Sequence, residues 1–469
     1  MSRLSTFWEK NPAFFYSLVF FLGCLFALKT PLVLLPLCLI LHKKRLFFAC
    51  LMFLIPCAMT YNFYTFPVRG EKVEGLFYIQ DVHHSEKYGG GWNYKGTLRT
   101  QKGRIQCHCF SKQYFSLPTI YKISGTVRPL KGGTYALKIQ GIWEPTCVRF
   151  SLVPFRKTCK ESVQHYISTH YPDTRNAHFL MGMITGELED LLLLNEFNQL
   201  GVSHLMAISG LHFSLLAFIF HFLFRLFLPY KLEACFLIAL MSCYLFFIGD
   251  TPSVLRAWMM ILPVLLGLLF ERRCSSINAL GCALLFSLLW NPLSAISLSL
   301  QLSFLATAGI LFFYAPCNRL MMSLFPKFPL KEVVIKNKLW QHCYIFISLL
   351  REALALSLAV HFALLPLLLA SFHVFSFNSL FYNLFFPFLA SLALIFFLFS
   401  LPFGHLGHFL NNAYCSWILK IPAEPFLTFK SFYLDQMPPW LLTFWLTSLL
   451  AIAVFQEIRD KSHTNRFHL

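Results

Sequence analysis

Residues 201–220 read GVSHLMAISGLHFSLLAFIF, a run apolar enough to cross a bilayer that nonetheless carries two His, three Ser and two Gly. Polar groups at membrane depth are costly and usually face the interior of a helix bundle. At about 100° per residue, Ser203, Ala207, Gly210 and Ser214 fall within about 60° of one another on a helix, which makes a stripe of small residues. Such a stripe lets two membrane helices approach closely. His204 and His212 lie off the stripe, on the side open to a wet cavity or to the carbonyls of a neighbouring helix. Two His with no carboxylate or third ligand nearby make an incomplete metal site, and none is expected.

The surrounding chain has the same character. Of 469 residues, 57% are hydrophobic and 13% charged, where an ordinary soluble domain carries roughly a quarter charged residues. A transmembrane helix needs about 20 mostly apolar residues. Stretches near 47–66, 235–249, 254–270, 277–290, 297–313, 343–370, 375–401 and 440–455 approach or meet that condition. Residues 12–41 are interrupted by Lys29, Thr30 and Pro31 and read as a hairpin of two short helices. That run is too long for a signal peptide, and no small-residue cleavage site follows it. The formal charge of +18 has two readings: positive-inside loops, or a wet path that concentrates a polyanion. Most of the 15 Cys sit singly in apolar segments, where a thiol behaves as a small hydrophobe.

The composition divides the chain into residues 1–66, N-terminal transmembrane helices; 67–150, a small β insert; 151–200, amphipathic or linker helices; 201–456, a transmembrane core; and 457–469, a basic tail. Short alternating runs at 119–127 and 135–143, separated by Gly-rich turns, suit a small all-β unit. Its length fits a five-stranded barrel of the oligonucleotide/oligosaccharide-binding (OB) kind. The cations of residues 42–45 predict a cytoplasmic end there and therefore an extracytoplasmic insert. Glu271, Arg272 and Arg273, and the stretch with Lys327, Lys331, Lys336 and Lys338, read as cytoplasmic turns. The side of the C-terminus stays open. The fold class is thus a polytopic α-helical membrane protein with an OB-fold-like extracytoplasmic insert.

Further polar residues recur inside apolar segments. Thr251 suits the cap of a helix that starts at Pro252, and Arg256 sits one turn inside, where it could meet phosphate or snorkel to the interface. Ser299, Ser303 and Thr307 share one helix face and Gln301 lies on another, a polar seam that interhelical hydrogen bonding explains as well as a pore does. Asn378 and Asn383 before Pro387 suggest a broken helix.

The string GVSHLMAISGLH resembles the signature of the ComEC family, fixing Gly201, His204, the run 207–210 and His212 together. GDTPSVLRAWMM at 249–260, the turn at 269–273, Gln301-Leu302-Ser303-Phe304 and the Leu-Pro-Leu to Asn383 series agree with it in order. The resemblance implies a channel for single-stranded DNA in natural transformation, set as a multi-pass protein in a bacterial inner membrane. It implies a path along Ser203, His204, Ser209, Gly210, His212, Arg256, Gln301, Ser303 and Asn383. It also implies a cytoplasmic ATP-driven helicase or motor, a periplasmic DNA receptor, contact with membrane lipids and a homodimer as the assembly to consider. No Gly-x4-Gly-Lys-Ser/Thr loop is present, so the energy is expected from elsewhere. The His-x-His-x-Asp-His motif of the family's metallo-β-lactamase-like domain is absent from the sequence, so neither nuclease nor other enzymatic activity is expected, and no cofactor. The acidic residues Glu187, Glu189 and Asp190 stand where relatives mix in Arg and are not expected on DNA.

In the β insert, Trp92, Tyr94, Lys95, Arg99, Lys102 and Arg104 are candidates to hold a strand by stacking and phosphate contact; the same residues also suit the ordinary exposed surface of a basic sheet. Cys107, Cys109 and Cys147 lack four-ligand metal spacing, and outside the cytoplasm a disulfide from Cys147 to Cys107 or Cys109 is expected. Two other function classes compete with a channel. One is an intramembrane hydrolase with Ser209 or Ser203 as nucleophile and His204 or His212 as base, although neighbouring helix residues point about 100° apart. The other is a secondary transporter of small anions.

Overall fold

The computed structural model describes residues 7–28, 46–64, 67–85, 90–117, 119–130, 134–141, 143–148, 152–187, 190–205, 210–249, 252–272, 275–328, 337–425, 432–433, 438 and 441–452. The interruption at 29–31, the cations at 42–45, Ser209, Thr251, Lys331, Lys336 and the tail 457–469 lie outside the described residues.

Two helices open the chain, α1 (Pro12–Ala27) and α2 (Leu46–Phe63). They touch where Gly23 meets the backbone of Phe53, too close for any side chain. Six strands follow: β1 (Lys72–Ser85), β2 (Gly91–Thr100), β3 (Gly103–Ser111), β4 (Thr119–Pro129), β5 (Tyr135–Ile139) and β6 (Glu144–Val148). Their order is β1-β2-β3-β5-β4-β6, and β1 also pairs with β4. The first five strands therefore close into a ring, with β3 and β5 parallel and β6 added outside on β4. That is an OB-type barrel with one strand more than the alternation predicts. Residues alternate inward and outward as a pleated strand requires, so Phe77, Tyr94, Leu98, Ile105, Ile123 and Leu137 fill the barrel. Tyr94 Oη donates to Gln113 O at 3.3 Å and accepts from Phe115 N at 2.8 Å. Burial pushes its pKa up to about 12.

The expected disulfide is not formed. Cys107, Cys109 and Cys147 are all free. Cys107 and Cys109 point into the barrel from β3, whereas Cys147 is exposed on β6, with β5 and β4 between the two strands. The Cys107 side chain, hydrogen-bonded to Cys109, and burial together hold the Cys109 thiol well above its ordinary pKa.

Residues 151–200 form α3 (Val153–His170), α4 (Thr174–Thr185) and α5 (Leu191–Gln199). They are more than a linker: Phe179, Leu180, Met183 and Phe197 are buried in one core with Phe213, Val254 and Phe386 of the helices beyond. Glu187 accepts from Lys160 Nζ at 2.8 Å and Gln164 Nε2 at 3.1 Å, and Asp190 caps α5 through the N–H groups of Leu192 and Leu193. Their acidity is thus occupied by local structure.

The remaining helices are α6 (Gly210–Arg225), α7 (Tyr230–Ile248), α8 (Pro252–Leu269), α9 (Ser276–Trp290), α10 (Leu298–Leu324), α11 (Lys338–Phe372), α12 (Phe377–Ile418) and α13 (Leu441–Ile452). Four elements, Tyr230–Ile248, Leu298–Leu324, Lys338–Phe372 and Phe377–Ala423, are long and apolar enough to cross a membrane, and shorter apolar helices flank them. Helices suit this environment because they satisfy their backbone groups internally. The break expected between Asn378 and Pro387 falls later: α12 runs through Pro387 and departs from helical geometry at Gly404 (φ 56°, ψ −136°). Proline removes one N–H, which a packed membrane helix tolerates, whereas the Gly404 backbone leaves the helical region altogether.

The barrel is tied to one end of this bundle. Arg156 on α3 donates to Gln80 O at 2.9 Å and reaches Asp81 Oδ1 at 3.3 Å on β1. The same guanidinium lies over Gly249 at the end of α7. Tyr64 pairs with Arg104 of β3 and donates to Asn291 Oδ1, just beyond α9, at 3.4 Å. The C-termini of α7 and α9, and so the N-termini of α8 and α10, face the barrel.

Candidate functional site

The site begins where the apolar run at 201–220 fails to become one helix. Gly201 has φ +72°, a left-handed conformation that favours glycine. Ser203, His204 and Leu205 form a turn of 3-10 helix, and α6 is described from Gly210. A 3-10 turn does not keep the 100° pitch of the wheel, so Ser203 leaves the stripe, while Gly210 and Ser214 stay one turn apart on α6 and Ala207 lies outside the described residues. The break turns Ser203 and His204 independently of His212.

What the break achieves is a gathering of polar side chains from four elements. A Cβ on Gly201 would come within 2.7 Å of Ser379 Cβ, so the turn lies directly on the start of α12. Asn378 Nδ2 donates to Gln199 O at 3.2 Å and strengthens that contact. Ser379 Oγ is 3.5 Å from His361 Nε2 on α11, and His361 Nδ1 is 2.8 Å from Ser357 O. His204 is within electrostatic reach of His361, and His212 of His204. His204 lies at the surface of the bundle and His212 is buried. Asn383 lies one turn beyond Ser379 on the same face of α12, with a buried Oδ1 that has no hydrogen-bond partner.

Arg256 stands on α8, which packs against the start of α6. Gly210 packs against α8 where a Cβ would meet Ala257 Cβ at 3.5 Å and Ser253 O at 4.0 Å. Arg256 is 2% exposed, so it does not snorkel. Its Nη2 donates to Ser253 Oγ at 3.1 Å and its Cζ lies 6.0 Å from the centre of the Phe304 ring, but Nε and Nη1 have no hydrogen-bond partner. A charge removed from water without an ionic partner costs several kcal/mol. Among the described residues no carboxylate pairs with it.

The other expected path residues are divided. Gln301 Nε2 donates to Ala295 O at 2.8 Å and caps the turn before α10, and the Ser303 carbonyl accepts from Thr307 Oγ1 at 3.0 Å. Of this helix, Phe304 is the residue whose ring meets Arg256. His361 and Ser379 escaped the sequence reading. A lone His in the apolar run of α11 was the available signal, by the same rule that singled out His204. Among the described residues no three His, Cys, Asp or Glu side chains are placed to hold a metal ion.

The barrel offers a second basic surface. Arg99 and Arg104 are directly opposite in the β2–β3 register and both exposed, Lys102 is exposed on the turn between them, and Lys95 is half-buried opposite His108. Like charges placed opposite one another destabilise a sheet. Lys102 also pairs with Glu71 at 3.4 Å. Trp92 is used differently: Lys157 Nζ sits 4.5 Å from the centres of both the Trp92 and Tyr114 rings, a cation–π contact that docks the barrel on α3. Tyr94 is buried in the barrel and offers no stacking face.

The family model described as Competence protein matches residues 189–459, which include α5 to α13 and hence the whole cluster around Arg256. The chain is similar to ComE operon protein 3 of Bacillus subtilis (strain 168), 29% identical over 242 residues, which is 51% of this chain and 27% of that protein. The match thus spans about a quarter of the relative's length. No solved structure matches the chain.

Proposed function

Since the chain belongs to the Competence protein family, we propose that it is the inner-membrane conduit through which single-stranded DNA passes during natural transformation. The observation that carries the proposal is Arg256: a guanidinium 2% exposed within an apolar bundle, with two N–H directions unmet. A phosphodiester strand supplies the acceptors and the negative charge together. The polar groups of His204, His212, His361, Ser379 and Asn383 give the strand donors and acceptors in place of water.

Charge along the chain supports the direction. The connections at the barrel end, residues 201–209, 249–251, 291–297 and 373–376, contain no Lys or Arg. The opposite end carries Arg225, Lys231, Arg272, Arg319, Lys327 and Lys338. By the positive-inside rule that end is cytoplasmic and the barrel is extracytoplasmic. Arg99, Lys102 and Arg104 then form a landing surface for DNA delivered by a periplasmic receptor, and a cytoplasmic ATP-driven motor pulls the strand through.

Deleting the gene tests this reading. Labelled DNA should still bind the cell surface, while its appearance in the cytoplasm falls to background. Undiminished cytoplasmic label in the deletion strain removes the proposal.

A further inference from the structure

Arg351 on α11 has the same construction as Arg256 and plays no part in the site above. It is 3% exposed. Its Nη2 donates to Ser348 Oγ, three residues earlier, at 3.0 Å, as Arg256 Nη2 does to Ser253 Oγ at 3.1 Å. Its Nη1 reaches Phe325 O at 3.4 Å, and its buried Nε has no hydrogen-bond partner. Glu352 is exposed and points about 100° away around the helix. Among the described residues no carboxylate forms an ion pair with Arg351.

The spacing of the two arginines is informative. Both abut α10, Arg256 at the Phe304 ring and Arg351 at the Phe325 carbonyl. Those positions are about six helical turns apart, roughly 30 Å at 1.5 Å per residue, which is the thickness of the hydrocarbon core. Arg256 lies one turn from the barrel end. Arg351 lies at the end where Arg319, Lys327 and Lys338 flank the connection from α10 to α11. One buried, incompletely satisfied guanidinium therefore stands near each end of α10. Capping the α10 carbonyl would need only the weak Nη1 contact, and does not explain a buried Nε without a partner.

Resting on the conduit reading, we infer that Arg351 is a second phosphate-binding station at the inner mouth, which takes the backbone of the strand after Arg256 releases it. Two stations of modest strength hold a polymer in line while letting it advance, since each is left only as the other is filled. An anionic lipid headgroup offers the same phosphate chemistry, and the test separates the two sources.

The full chain is reconstituted in planar bilayers of neutral lipid, and an unstructured single-stranded oligonucleotide is added at the barrel side. Wild type should show transient current blockades. Arg351→Gln should leave their frequency unchanged and shorten their duration about tenfold, and Arg351→Met should match or exceed wild type in thermal stability. Blockades of wild-type duration in Arg351→Gln, a loss of stability in Arg351→Met, or a difference between Arg351→Gln and wild type that appears only when anionic lipid is added would each overturn the second station. An absence of blockades in wild type would remove the conduit reading itself, and the inference with it.

Discussion

Replacing Arg256 by Met should raise the thermal stability of the protein and stop DNA uptake. The two effects have one origin. In the folded protein the guanidinium is desolvated and meets one hydroxyl, Ser253 Oγ, so removing the charge removes a desolvation penalty. Exchanging buried charges for apolar groups of similar volume is neutral or stabilising by roughly 1–4 kcal/mol. A strand in transit loses the opposite quantity. Truncating one partner of a buried, hydrogen-bonded charge pair costs about 2–5 kcal/mol, and each 1.4 kcal/mol is about a factor of ten. Uptake should therefore fall about 30-fold or more, read as cytoplasmic label per cell at equal protein level. Arg256→Lys should retain part of the activity, since it keeps the charge and loses the planar fork. A less stable Arg256→Met protein, or one with normal uptake, would make the residue a packing element.

Gly201→Ala should be the most damaging small substitution in the site. The residue has φ +72°, a conformation that costs an L-residue about 1–2 kcal/mol, and its new methyl would press on Ser379 Cβ at 2.7 Å. The turn bearing His204 must then lift from α12 and separate from His361. Uptake is expected to drop at least about tenfold, with a loss of roughly 2–3 kcal/mol in stability when strain and contact combine. Ser379→Gly removes the atom that is struck. The double variant should therefore recover the steric part of the stability loss and leave the backbone part. Equal stability of the two proteins, with and without Ser379→Gly, would show that the close approach is not what fixes the turn.

Much of this was legible in the sequence, for reasons that differ by region. Helices near 47–66, 235–249, 254–270 and 277–290 are marked by composition alone, because lipid leaves the backbone no other partner. The barrel's strands follow from alternation, but their order does not: the β1–β4 and β3–β5 pairings join distant segments, and a disulfide inferred without that order paired strands that never meet. Arg256 stands out because a charge in a run such as SVLRAWMM must either snorkel to the interface or meet a partner inside. Its burial was not legible, because snorkelling and inward packing leave the same sequence. The polar stripe misled at Ser203, which a turn of 3-10 helix takes off the α-helical pitch assumed for the whole run. His361 was hidden because its companions arrive from other elements, through Ser379 on α12 and His204 on the 3-10 turn.

The central claim is that Arg256 lines a passage for DNA, and a strand caught in transit addresses it directly. A single-stranded substrate blocked at its trailing end and carrying thiol-reactive groups along its backbone would be supplied to cells expressing Ser253→Cys, with Phe222→Cys as the comparison; Phe222 is 64% exposed on the outer face of α6. Uptake-dependent crosslinks are expected at position 253 and not at 222. Crosslinks absent from both positions while the strand still reaches the cytoplasm would place the path elsewhere and contradict the account.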